Sequence, residues 1–245
     1  MKTIGLLGGM SWESTQTYYS LINRAVNQRL GGFHSAKIVM LSVDFAEIER
    51  YQSEDEWDSA AATLANGAKR LERAGADCIA ICTNTMHMVF DDICSQVTVP
   101  MIHIGDALGR FAVDGNHQCL ALLGTRFTME HPFLSDRLKN NFSIHTITPN
   151  ERQRQEIHRI IYDELCSGEI RSESRDYFLT VINELSSQGA DGVVLGCTEI
   201  GLLIHQSHTK CMVCVQIAIQ SAPARSRLFA PFASAAAAES QSSSD

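Results

Sequence analysis

Apolar runs of strand length alternate along this chain with stretches in which apolar positions recur at helical spacing. Residues 2–8 form such a run and close on Gly8-Gly9. Tyr18, Leu21, Ile22, Ala25 and Val26 then recur at helical intervals up to Leu30 and the pair Gly31-Gly32, which predicts a strand, a tight turn and a helix. Residues 37–43 predict a second strand ending at Asp44, and 57–74 a helix stopped near Gly75. A buried strand follows over 78–82 and halts at Thr83-Asn84-Thr85, and residues 100–104 begin a further connection. The run 120–123 opens a second series with Gly124-Thr125. Helical patterns over about 150–167 and 174–188 lead into the apolar run 193–195 and then Gly196-Cys197-Thr198-Glu199. Strands alternating with helices imply parallel sheets covered on both faces, and such sheets bind ligands beyond the carboxyl ends of their strands. The polar clusters stand at those ends.

The second series echoes the first. Gly75-Ala76-Asp77 aligns without a gap on Gly189-Ala190-Asp191, which places Thr83 on Cys197, and Leu6-Leu7-Gly8 recurs as Leu122-Leu123-Gly124. The expected fold is therefore α/β, with two pseudosymmetric parallel-sheet, Rossmann-like domains over 1–112 and 113–214. A segment at 215–231 is a candidate to join the first domain, and 232–245 reads as a flexible tail from its Ala, Ser and Gln content. If the halves face each other, Thr83 and Cys197 would flank one cleft, an arrangement suited to removing a proton from one face of a carbon and returning it to the other.

Composition narrows the class of activity. The 245 residues suffice for a sizeable core, and the 44% apolar and 20% charged content is that of a soluble globular protein. A net charge of −8 without a concentrated Lys/Arg run argues against nucleic-acid binding. Neither a signal-peptide core nor a membrane-spanning run is evident, and eight cysteines without an export signal suit a reducing, cytoplasmic setting. The glycines at 8–9 do not complete a dinucleotide fingerprint, since Trp12 and Glu13 occupy its continuation, and a P-loop lysine is missing. Cys211-x-x-Cys214 lacks the second pair that a zinc site requires. No metal or cofactor is expected, so the chemistry falls to side chains.

Cys197 is the leading candidate because a thiol between a buried strand and a helix start is placed where the helix dipole favours thiolate. Cys82, next to Thr83, should point into the core by strand alternation. Asn84, Thr85 and Thr198 are short hydrogen-bonding residues at strand-to-helix turns, suited to holding a carboxylate or to capping a helix. Thr125 and Thr128 after Gly124, and Ser11 and Thr15 after Gly9, carry the same two readings. His87 lies one helical turn beyond Thr83 and could polarise its hydroxyl.

The segments IGLLGGMSWEST at the start, SVDF at 42–45, CTNTMH at 82–87, ALLGTRFTM at 121–129 and GCTEIGLL at 196–203 together resemble the aspartate/glutamate racemase family of cofactor-independent racemases. Glu199 resembles the aspartate-racemase branch, where glutamate racemases usually carry histidine. The resemblance covers residues 1 to about 204. It implies an active site between the two domains, commonly a homodimer, and a two-base mechanism at Cα of an amino-acid substrate. On that reading Thr83 and Cys197 are the catalytic pair. Met10, Gln52, Asn84, Thr85, Thr125, Thr128 and Thr198 bind substrate, with His87, Glu199 and Arg50 as auxiliaries and Arg126 a further candidate for a side-chain carboxylate.

Two departures qualify the resemblance. Thr83 stands where the family generally has cysteine, and a hydroxyl is a far poorer base than a thiolate. The family's closing segment is only faintly echoed at 216–220, and Pro223 and Pro231 interrupt the expected helix. A weakened binding protein for acidic amino acids, and a racemase or isomerase of another small acid, are the rival readings.

Overall fold

The computed structural model describes residues 1–215, with side chains described through Val213; the expected joining segment and tail after 215 lie outside the described residues. The chain divides into two compact units between His103 and Ile104. The sequence placed that boundary after residue 112. The helix α5, over Ile104–Asp114 by its order in the chain, joins the second unit because Leu108 and Ala112 bury themselves against Leu120, Leu122 and Leu138.

The first unit is built from β1 (Thr3–Gly8), α1 (Trp12–Leu30), β2 (Lys37–Ser42), α2 (Phe45–Ser53), α3 (Trp57–Arg73), β3 (Cys78–Ile81), α4 (Phe90–Cys94) and β4 (Met101–Ile102). Its strands are all parallel in the order β2-β1-β3-β4. After α5 the second unit continues with β5 (Cys119–Leu123), α6 (Arg126–Glu130), α7 (Ser135–Phe142), β6 (His145–Ile147), α8 (Glu151–Arg159), α9 (Ser172–Ser187), β7 (Gly192–Leu195), α10 (Ile200–Leu203) and β8 (Met212–Val215). The order is β6-β5-β7-β8, again all parallel. Each unit thus repeats the strand order of the other, which is the α/β fold expected from the alternation. The pattern over 150–167 is one helical run whose middle, Ile160–Glu164, widens to π geometry.

Alternation within β5 shows why the strands are apolar throughout. Ala121 and Leu123 pack with Ile157, Phe178, Ile182, Val193 and Leu195 on one face, whereas Leu120 and Leu122 meet Leu108, Leu134 and Val194 on the other. A strand covered on both sides has no solvent face on which to keep polar residues. In the first unit one such core gathers Leu7, Ile48, Leu64, Leu71, Ile79, Ile81 and Met86.

The repeated Gly-Ala-Asp has a structural cause. Gly75 and Gly189 adopt φ of +88° and +109° just past α3 and α9, the left-handed side of backbone space that glycine enters without cost. Ala76 and Ala190 then return their N–H groups to the carbonyls of Leu71 and Leu185, each at 3.1 Å, and bury their methyl groups at 4% exposure. The aspartates tie the starts of neighbouring strands: Asp77 accepts the Thr3 N–H at 2.6 Å, and Asp191 accepts those of Gln118 and Cys119 at 2.7 and 3.3 Å. The motif is a clasp at the amino ends of the strands, opposite the polar clusters. Asp77→Ala is expected to destabilise the fold by about 1 kcal/mol, the scale of one solvent-accessible hydrogen bond, read as a lower urea midpoint with an unchanged slope.

Candidate active site

Beyond the carboxyl ends of β3 and β7, each unit presents one polar turn. Leu7 pairs with Ile81 and Leu123 with Leu195, and the next backbone bonds run from Cys82 N to Leu7 O and from Gly196 N to Leu123 O. Cys82 is thereby equivalent to Gly196, and Thr83 to Cys197.

In the first unit, Cys82 is fully buried and its thiol is pushed far above its ordinary range by that burial. The Cys82 carbonyl accepts the Ser14 hydroxyl at 2.8 Å, tying α1 to the end of β3. Thr83 alone among residues 81–87 is half-exposed; Asn84, Thr85 and His87 are buried around it. The His87 ring turns its Nδ1 to the backbone of the turn that carries Thr83. Its Nδ1 lies 2.8 Å from the Thr83 carbonyl and 3.2 Å from that of Asn84, so the proton on Nδ1 donates to the backbone and braces the turn. His103, which the sequence reading passed over, packs edge-on against His87 with ring centres 4.7 Å apart, and both rings contact Phe90. An isolated histidine at the end of a two-residue strand carried no signal of that contact.

The glycine pair after β1 is shaped by α1. A Cβ on Gly8 would overlap Thr15, whose hydroxyl accepts the Gly9 N–H at 2.8 Å and donates to the Ser11 carbonyl at 2.9 Å. Thr15 is therefore a brace for the turn. Met10 is packed in the core of the first unit, and Gln52 is buried on α2. Arg50 is drawn outward: its guanidinium pairs with Glu54 at 2.6 Å and Glu56 at 3.5 Å and lies over the Tyr51 ring.

In the second unit Gly124 is crowded by Thr128 and by the Gly196 carbonyl, so the turn after β5 abuts the turn after β7. Thr125 and Thr128 bring their hydroxyls to 3.3 Å. The Cys197 thiol donates to Glu199 Oε2 at 2.8 Å, and the Thr198 hydroxyl donates to the same oxygen at 2.7 Å. Burial, then the Glu199 charge and this hydrogen bond, hold the Cys197 thiol well above its ordinary range. The helix-dipole argument for a thiolate is outweighed here, because α10 is a single turn and a carboxylate sits against the sulfur. Among the described residues no group of three His, Cys, Asp or Glu side chains could hold a metal ion; Cys214 of the Cys-x-x-Cys pair lies on β8 opposite Val194.

His158 adds a pH-dependent contact. Its Nδ1 accepts the Arg126 N–H at 3.3 Å at the first residue of α6, and burial followed by the Arg126 charge lowers its pKa. Protonation removes the acceptor, so this stabilisation is complete above the unfolded value of about 6.5 and is lost as pH falls through the lowered folded value. Wild type should melt above His158→Phe at pH 8, and the gap should close by about pH 5; a gap that does not depend on pH would refute the contact.

The described helices include none long and apolar enough to cross a membrane. The profile of the Asp/Glu/hydantoin racemase family matches residues 7–222. Among solved structures, a provisionally assigned Asp/Glu racemase from Yersinia pestis is 46% identical, covering 91% of this chain and 97% of that one at a TM-score of 0.85. An aspartate racemase homologue from Pyrococcus horikoshii is 33% identical over 90% of this chain and 96% of that one, at a TM-score of 0.78. A broad-specificity amino-acid racemase from Bacillus subtilis is 22% identical over 82% of this chain and 87% of its own length.

Proposed function

Because this chain belongs to the Asp/Glu/hydantoin racemase family, we propose that it racemises an acidic amino acid, aspartate or glutamate, by proton transfer at Cα without a cofactor. The observation that carries the reading is the equivalence of Thr83 and Cys197, each the first side chain past a buried strand end that is half-exposed. Cys197 serves one face of Cα and Thr83 the other. Asn84, Thr85, Thr125 and Thr128 supply donors for substrate carboxylates, and donors placed where charge develops lower the barrier to the carbanion. Thr198 joins them once its hydroxyl leaves Glu199. Gln52 and Met10 act from their buried positions through the shape of the surrounding turns. Arg50 takes part only by exchanging its glutamate partners for a substrate carboxylate. The proposal extends to a cytoplasmic homodimer, whose mass light scattering would report.

The test is proton–deuterium exchange at Cα of L- and D-aspartate and L- and D-glutamate in deuterated water, followed by NMR. Exchange of any of the four supports the reading. One observation favours the rival binding protein: both the threonine hydroxyl and the raised Cys197 thiol are acids at neutral pH. Saturable binding of aspartate or glutamate without exchange would establish that reading instead.

A further inference from the structure

Arg126, Met129 and Glu130 fall at i, i+3 and i+4 of α6, and Glu151, Arg154 and Gln155 fall at the same intervals on α8. Residues so spaced share one helix face. The two faces, with Thr148 just past β6, form the walls of a groove of about 580 Å³. Ligands of such a sheet bind where the strand order turns about, here between β5 and β7. The groove stands instead on the β6 side of β5, and Arg126 is exposed there while Thr125 and Thr128 are buried.

The charges of the groove do not cancel in pairs. Arg154 is satisfied, since its Nε donates to Glu130 at 2.9 Å and its Nη1 to the Pro149 carbonyl at 2.8 Å. The Arg126 guanidinium lies over the Phe127 ring, 5.4 Å from its centre, with no acidic partner among the described residues. Among those residues the Glu151 carboxylate meets the Gln155 amide alone, at 3.5 Å. One cation and one anion thus line the same groove without pairing, and the buried Met129 supplies its apolar lining.

We propose that this groove binds a free amino acid as its zwitterion, the carboxylate held by Arg126 and the ammonium by Glu151. A simple anion gains Arg126 but is repelled by Glu151, and a simple cation meets the reverse. A molecule carrying both charges satisfies both walls through charge-assisted hydrogen bonds, which are the stronger kind. The site is separate from the turns after β3 and β7 and does not depend on the racemase reading.

His158 reports occupancy. It continues the groove face of α8, four residues beyond Arg154, and its ring tilts against Tyr162 with centres 4.6 Å apart. The charges that act on it are Arg126, which lowers its pKa after burial, and Asp163 and Glu130, which raise it. A carboxylate on Arg126 offsets the first of these, so the His158 titration midpoint rises when the groove fills. The ammonium at Glu151 stands two turns away along α8, about 10 Å, and acts less.

The experiment follows the His158 ring by NMR, assigned by the signals lost in His158→Phe, with L-leucine, acetate and methylammonium as probes. L-leucine should move the ring resonances saturably and raise the titration midpoint. Acetate and methylammonium, each carrying half of the charge pair, should bind about tenfold or more weakly. Arg126→Gln and Glu151→Gln should each weaken L-leucine by about tenfold or more, read from the ring resonances at about pH 8, where imidazole is neutral. The comparison of the three probes in wild type decides the matter if a variant fails to fold. A His158 ring unmoved by L-leucine at its highest soluble concentration, acetate or methylammonium binding as tightly as L-leucine, or L-leucine binding that survives both substitutions overturns the proposal.

Discussion

Cys197→Ala is expected to reduce Cα exchange by about 1,000-fold or more while leaving the thermal midpoint within a few degrees of wild type. Alanine preserves the backbone of the turn after β7, whose bonds from Gly196 N to Leu123 O and from Ile200 N to Cys197 O do not involve the thiol. The thiol is a single heavy atom, partly buried against the core of the second unit, so its truncation leaves only a small cavity. What disappears is the sulfur proposed to meet Cα on one face, together with its bond to Glu199. Cys82→Ala is the control. It removes a thiol that is also raised by burial but lies in the core, so it should cost stability and spare exchange. Wild-type exchange in a folded Cys197→Ala protein would remove this residue from the mechanism, and a selective loss in Cys82→Ala would mean that the neighbouring thiol does the work.

Thr83→Cys should make the two directions of proton transfer more alike, raising exchange of the slower enantiomer by about tenfold or more. A hydroxyl can donate or relay a proton but is a far weaker base than a thiolate, so under the proposed mechanism the enantiomer that must lose its proton toward Thr83 is expected to be the slow one. Enantiomers have equal free energies in water, and any one-sidedness of the wild type must therefore be kinetic. The turn can accept the change, since Thr83 is half-exposed and His87 holds its backbone carbonyl, not its side chain. Isotope exchange and net racemisation, measured from both enantiomers in both proteins, decide the point. Similar kinetics in both directions for wild type, unaltered by the substitution, would exclude Thr83 as the second acid–base group.

Much of this protein was legible in the chain because strand physics is local. A run such as 120–123 must be covered on both faces to be wholly apolar, and a parallel sheet follows from strands that alternate with helices. The repeat by itself brings Thr83 and Cys197 to equivalent strand ends, since equal offsets from Asp77 and Asp191 mean equal registers. Alternation likewise sent Cys82 inward. The purpose of the repeat was not legible: the aspartates clasp neighbouring strands that lie about seventy residues away in sequence, and no local pattern marks such a bond. The side to which α5 belongs was equally hidden, because an amphipathic helix does not declare which core it will cover.

What the sequence by itself determined is the alternation of elements, the twofold repetition and the identity of the two residues past the strand ends, all of which follow from periodicity and spacing. Tertiary structure alone decided the states of those residues. It turned His87 toward a carbonyl, committed Arg50 to Glu54 and Glu56, and brought His103 against His87. It also folded Glu199 back over the turn until one oxygen met both the Cys197 thiol and the Thr198 hydroxyl. The physical reason is that hydrogen bonding and ionisation depend on distances of a few tenths of an ångström and on burial, and both are set by how side chains pack after the backbone has been placed.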